Sequence, residues 1–271
     1  MNEETKKTKR ILLTSAKGGV GVGFVAVNLA FALCRRGARV LLVDAGPLCR
    51  SHDAILGCAE DVIYDISDLA ASRVEAEKVL LRPFGEDEPW LLPGVFSHTC
   101  PVPWDRLPGM ASELGAQLGF DFVLIDTPAR QKVLAHADEY EQICVITDPT
   151  PASLRAAEAT AAALREVGTT DACLVINRFS LLPPRESKQA KAIAMVDAVR
   201  LPLLAILPTV GELDEAAHRC VGEYPLLRGR EFRREAARFA FDNMAARLLG
   251  MDVPLLSDIR AVRSYRRKLL Y

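Results

Sequence analysis

Several things are missing from this 271-residue sequence, and each absence removes a class of function. The seven cysteines (Cys34, Cys49, Cys58, Cys100, Cys144, Cys173 and Cys220) are scattered and include no C-x-x-C pair. That excludes zinc and iron–sulfur spacing. Dispersed thiols in apolar stretches read as small buried hydrophobes, and reduced thiols fit the cytosol. The four histidines, His52, His98, His136 and His218, are far apart and lack metal-ligand spacing, so no metal site is expected. Ser15 and Ser51 have no obvious histidine–carboxylate partners. The formal net charge is −1, and no dense basic patch appears before the last residues, so nucleic acid is not an expected partner. No apolar run reaches the length of a bilayer span, and Met1–Arg10 is polar and charged rather than a secretion signal. A cytoplasmic location is expected.

What is present is an alternation of short apolar runs with helical patterns. Arg10–Thr14, Arg39–Val43, Phe122–Ile125, Ile143–Thr147, Cys173–Ile176 and Leu203–Leu207 read as strands. They are apolar throughout rather than at every second residue, as in strands buried on both faces. Helices are expected over Gly23–Arg36, Val74–Leu80, Trp104–Leu118, Ser153–Val167, Ser187–Val199 and Arg230–Leu249. The alternation predicts an α/β fold, a doubly wound, mostly parallel sheet with helices on both faces. The proline-rich stretch Leu81–Pro108 reads as an irregular excursion. One domain is expected over residues 1–256, followed by a basic tail over 257–271.

The informative segment is TSAKGGVGVG, Thr14–Gly23, which a strand enters and a helix leaves. A glycine-rich turn there aims backbone N–H groups and the helix dipole at a common point that favours an anion. The same turn could also be a tight strand–helix connection that binds nothing.

KGGVGVG at Lys17–Gly23 resembles the deviant phosphate loop of the MinD/ParA ATPases, KGGxGK followed by Ser or Thr. Other segments resemble that family in the same order. DAGPLCRSHDAILG (Asp44–Gly57) is similar to its first switch and LLPG (Leu91–Gly94) to a strand end. DFVLIDTPA (Asp121–Ala129) is similar to its Walker B and second switch. ITDPTPASLRAAE (Ile146–Glu158), INRF (Ile176–Phe179) and FAFDNMAARLLG (Phe239–Gly250) follow. The resemblance implies a P-loop NTPase fold and a nucleotide pocket built from Lys17, Gly18, Gly19, Val20, Gly21, Val22, Gly23, Asp44, Asp126, Asn177, Arg178 and Pro208. In it Lys17 would be the signature lysine reaching a partner's nucleotide, or else a solvated loop lysine. Asp126 would be the Walker B aspartate, or else a strand-end cap. Asn177 and Arg178 would read adenine, or else Asn177 simply forms a turn.

The departures fall on the γ-phosphate side. P-loop proteins place a lysine after the last glycine to neutralise the phosphates, then a hydroxyl to hold Mg²⁺. Here those positions are Val22 and Gly23, and the second aspartate of the family's first switch is Gly46. No catalytic set is intact. The expected function is a degenerate pseudo-ATPase that binds a protein partner as a regulator of cell division or spatial positioning. A weak but genuine ATPase and a ParA-like DNA or cargo binder are the alternatives. ATP or ADP would bind weakly, Mg²⁺ is not expected to be held, and an ATP-driven homodimer is not expected. The tail, SDIRAVRSYRRKLLY, gathers Ile259, Val262, Tyr265, Leu269 and Leu270 in one helical arc of roughly 140° with arginines beside it. It is expected either to touch an anionic membrane, placing the protein at the inner face of the plasma membrane, or to fold back on the domain.

Overall fold

The computed structural model describes residues 7–46, 51–96, 102–129, 131–182, 189–209 and 232–256. Among the described residues seven strands form one sheet: β1 (Lys9–Ser15), β2 (Val40–Asp44), β3 (Trp90–Leu92), β4 (Phe122–Pro128), β5 (Gln142–Thr147), β6 (Ala172–Phe179) and β7 (Leu203–Pro208). Their spatial order is β3-β2-β4-β1-β5-β6-β7, and every pairing is parallel. The expected "mostly parallel" sheet is therefore parallel throughout. Six strands fall on the apolar runs read from the sequence. β3 does not, because its three residues are too short a run to stand out among flanking prolines; only the family resemblance marked its end.

Helices cross between the strands: α1 (Val22–Cys34), α2 (His52–Leu56), α3 (Ile66–Ala70), α4 (Ala76–Val79), α5 (Leu107–Leu118), α6 (Gln131–Leu134), α7 (Pro151–Glu166), α8 (Ala192–Val199) and α9 (Phe232–Leu248). The helix expected over Val74–Leu80 is the shorter α4, and α3 precedes it where the sequence reading placed none. Asp65 caps α3 through Ser67 and Asp68 N–H groups, and Asp68 returns the bond, a reciprocal capping box. α5 begins at Leu107, three residues later than expected, with a proline in its first turn. α8 is confined to Ala192–Val199, with part of the expected Ser187–Val199 span outside the described residues.

The core explains why the strand patterns lacked alternation. Ile11, Leu12 and Leu13 of β1 and Val123, Leu124 and Ile125 of β4 are all wholly inaccessible. α1 is buried from Val25 to Leu33, lying between the sheet and α9. Phe24 meets Phe241 of α9 edge to face, with centroids 5.8 Å apart. Among the described residues no helix is long and apolar enough to cross a membrane. The tail over 257–271 lies outside the described residues.

Candidate functional site

The chain runs outward from β1 to β2 and β3, returns to β4 beside β1, then crosses to β5, β6 and β7. The reversal beside β1 leaves a crevice at the carboxyl ends of the strands, where ligands of open α/β sheets bind. The glycine loop sits there. Gly21 caps α1 in the left-handed region (φ 91°), no side chain caps the helix, and no acid occupies its first turn. Gly18 and Gly19 face open space, and Gly19 also has positive φ. Loop and helix thus keep the shape of an anion cradle.

The end of β6 holds the loop down. The Asn177 amide nitrogen donates to the Val20 carbonyl at 2.8 Å, and an Arg178 guanidinium nitrogen to the Gly19 carbonyl at 2.7 Å. A methyl group on Gly21 would lie 2.6 Å from that Asn177 nitrogen, so glycine is required by contact as well as by φ. The two residues assigned to base recognition therefore spend these donors on the loop backbone. Val20 is wholly buried, and Val22 packs against the core rather than projecting a charge over the loop. The Lys17 N–H donates to the Ser15 hydroxyl at 3.2 Å. Burial opposes ionisation of Asp148, but bonds to Ser153 and Thr150 and the nearby Lys17 charge hold its carboxyl below the usual range. Pro208 closes β7, paired with Phe179 and one strand further out.

Asp44 and Asp126 are direct neighbours across β2 and β4. Between them lies a residue that sequence spacing had set aside. His52 is wholly inaccessible. Its Nδ1 is 3.0 Å from Asp44 Oδ2, and its Nε2 is 3.6 Å from Asp126 Oδ2. The backbone draws it in. The Ser51 and His52 N–H groups both donate to Asp44 Oδ2, at 2.9 and 3.3 Å, while the Gly46 N–H donates to Asp44 Oδ1 at 3.1 Å. Gly94 packs against Asp44, where a side chain would come within 3.0 Å of its carbonyl oxygen.

The charges follow from this packing. Burial opposes a proton on His52, but Asp44 and then Asp126 outweigh it and hold the imidazolium up to about 9. Burial pushes Asp126 up to about 7, with His52 opposing and Asp44 reinforcing the rise. Asp44 also loses solvation, yet the His52 ring and the Ser51 and Gly46 amides keep its carboxyl below the usual range. Ser51 does acquire a histidine and a carboxylate as neighbours, contrary to its sequence reading, with its Oγ 3.4 Å from His52 Nδ1. This is no nucleophilic triad, because the same ring nitrogen faces both Ser51 and Asp44.

Gly23 looks onto this cluster. A Cβ there would lie 3.0 Å from Ser51 Oγ, 3.3 Å from Asp126 Oδ2 and 3.6 Å from His52 Cε1. The residues do not fit a bound Mg²⁺. The hydroxyl that would face the ion is missing, and an imidazole stands between the two carboxylates. The one sequence signal for His52 was its position in the segment after Asp44.

The family described as the CobQ/CobB/MinD/ParA nucleotide binding domain matches residues 11–220. The septum site-determining protein MinD of Synechocystis is 27% identical over 96% of this chain and 98% of its own length. That of Bacillus subtilis is 30% identical, over 90% of each chain. A chain of the MinC:MinD cell division protein complex of Aquifex aeolicus superposes with a TM-score of 0.78 at 26% identity. That superposition covers 92% of this chain and 98% of the other.

Proposed function

The chain belongs to the CobQ/CobB/MinD/ParA nucleotide-binding family, and we propose that within it this protein is a pseudo-ATPase that regulates cell division or spatial positioning by binding a protein partner. The observation that carries this reading is the triphosphate side of the loop. Val22, half-buried against the core, stands where a cation would neutralise phosphate, and Gly23 supplies no hydroxyl. A single cationic group at such a site is worth roughly 10³–10⁵ in rate, so its loss together with the hydroxyl leaves no route to turnover. The partner class is a protein of the kind that accompanies MinD in the Aquifex complex. ATP-driven dimerisation has no firmly held γ-phosphate to act through. Purified protein should release no phosphate from ATP above background, and MgATP should not shift its sedimentation. Turnover that Lys17→Ala abolishes would overturn the reading.

A second reading is supported by the uncapped start of α1 and the open space at Gly18 and Gly19. These leave room for weak ATP or ADP binding without metal. Calorimetry with each nucleotide, with and without Mg²⁺, separates the two. We assign the basic tail over 257–271 to an anionic membrane surface at the inner face of the plasma membrane, the domain itself being cytoplasmic. A chain ending at Leu256 should lose co-sedimentation with anionic vesicles at low salt. Equal partitioning of both chains removes the tail from that role.

A further inference from the structure

We propose that His52 is a built-in replacement for the divalent cation of the phosphate site: its side chain fills the space between Asp44, Asp126 and Gly23 and keeps metal ions out. The inference rests on locating the phosphate site at the glycine loop, as in the reading above. It does not depend on whether the protein hydrolyses ATP.

Three independent observations converge. The first is position. P-loop NTPases hold Mg²⁺ between the hydroxyl that follows the loop's lysine and the Walker B aspartate. Those two places are Gly23 and Asp126 here, and His52 Cε1 lies 3.6 Å from where the side chain of residue 23 would begin. The second is charge. Two carboxyl groups on adjacent strands, in register and largely withdrawn from water, need a proton or a cation between them. Both ring nitrogens of His52 face carboxylate oxygens, at 3.0 and 3.6 Å. The ring therefore occupies the place between the two carboxyl groups that a bridging cation would take. The third is access. His52 is wholly inaccessible, and its Nε2 makes no hydrogen bond, so no other group in the described structure has a claim on that nitrogen. Asp44 is buried and Asp126 keeps only a partly exposed edge, so a cation could bridge the two aspartates only after the ring left. Gly23 is part of the same arrangement, since a hydroxyl-bearing side chain there would crowd Ser51 Oγ at 3.0 Å.

The consequence is a phosphate site whose cation position is filled by a side chain of the chain itself. The Ser51 and His52 N–H groups and the ring itself fasten this position to Asp44.

The test uses Mn²⁺ as the probe, with the six-line spectrum of the free ion reporting binding to full-length protein. The natural protein should show no saturable site. His52→Ala should expose one, tighter by about tenfold or more than anything the natural chain shows, and His52→Ala with Asp126→Asn should lose it again. His52→Asn keeps a polar group of smaller volume and carries the test if the alanine variant does not fold. The proposal is overturned by a Mn²⁺ site in the natural protein that Asp126→Asn abolishes. It is equally overturned by a folded His52 variant that binds no Mn²⁺. Neither result touches the pseudo-ATPase reading, which turnover assays judge separately.

Discussion

The two ends of the sheet carry charge in opposite ways. At the amino ends of the strands, Arg10 forks onto Glu141, with Nη2 to Oε1 at 2.8 Å and Nε to Oε2 at 3.0 Å. The Arg10 backbone N–H joins in at 2.9 Å, and Lys7 stands 3.2 Å from the same carboxylate. This pair is partly open to solvent, and the carboxylate has a donor for each oxygen. At the carboxyl ends, Asp44 and His52 are shut away, Asp126 keeps a partly exposed edge, and one nitrogen of the imidazole has no hydrogen bond. The first arrangement is a tie that water could replace. The second has little solvent to fall back on, and it sits where the fold places its ligand site.

The largest effect that separates the ends should come from Asp44→Ala. It strands an imidazolium in the interior and frees the amides of Ser51 and His52, for a cost of about 3–5 kcal/mol in urea unfolding. A loss below about 1 kcal/mol would erase the distinction.

Next in size is the pH response. His52 holds its proton to about 9 when folded, against 6.5 for the free side chain. The folded state thus binds a proton that the unfolded chain has released. That stabilisation is complete below about 6.5 and disappears as the pH rises through about 9, a change on the order of 3 kcal/mol. Asp126, raised to about 7 from 3.8, drives stability down in the same direction at lower pH. Asp44 and Asp53 are the other acids acting on the imidazolium. Glu141 does the reverse: held at about 2 against 4.5, its contribution is present above 4.5 and is lost as the pH falls through about 2. Thermal unfolding of His52→Gln and Glu141→Gln across pH 2–10 should flatten the alkaline limb in one and the acid limb in the other. The same limb flattening in both would end the comparison.

A smaller loss, about 1–3 kcal/mol, is expected for Gly21→Ala, which forces an alanine to φ 91° and pushes Asn177 off the loop. Calorimetric unfolding measures it, and Asn177→Ala in the same background should add little because the contact is already broken. The smallest effect belongs to Glu141→Gln at neutral pH, about 1–2 kcal/mol, since solvent is close and one oxygen still accepts.

How far the sequence could be read depended on how local the physics was. Leu12 or Val123 announces a doubly covered strand because every neighbour in its run is apolar too. Gly21 announces a turn because only glycine sits easily at that φ. Asp44 and Asp126 were legible as strand-end acids from the apolar runs before them. Asn177 was legible as a residue near the loop, but not as its clamp, because its target, the Val20 carbonyl, lies 157 positions away. His52 was passed over for the same reason: histidine spacing along the chain carries no trace of a partner on another strand.

The sequence by itself settled the parallel α/β architecture and the family, and it showed that lysine and hydroxyl are missing at Val22 and Gly23. Periodicity, glycine placement and residue identity are properties of short stretches and need no folding to be read. Only the tertiary structure decided what occupies the space those residues left. Burial and the registry of β2 against β4 bring Asp44 and Asp126 side by side, and the chain's return through Ser51 inserts an imidazole between them. Coulomb attraction and desolvation act through space, and that space exists only once the sheet has formed.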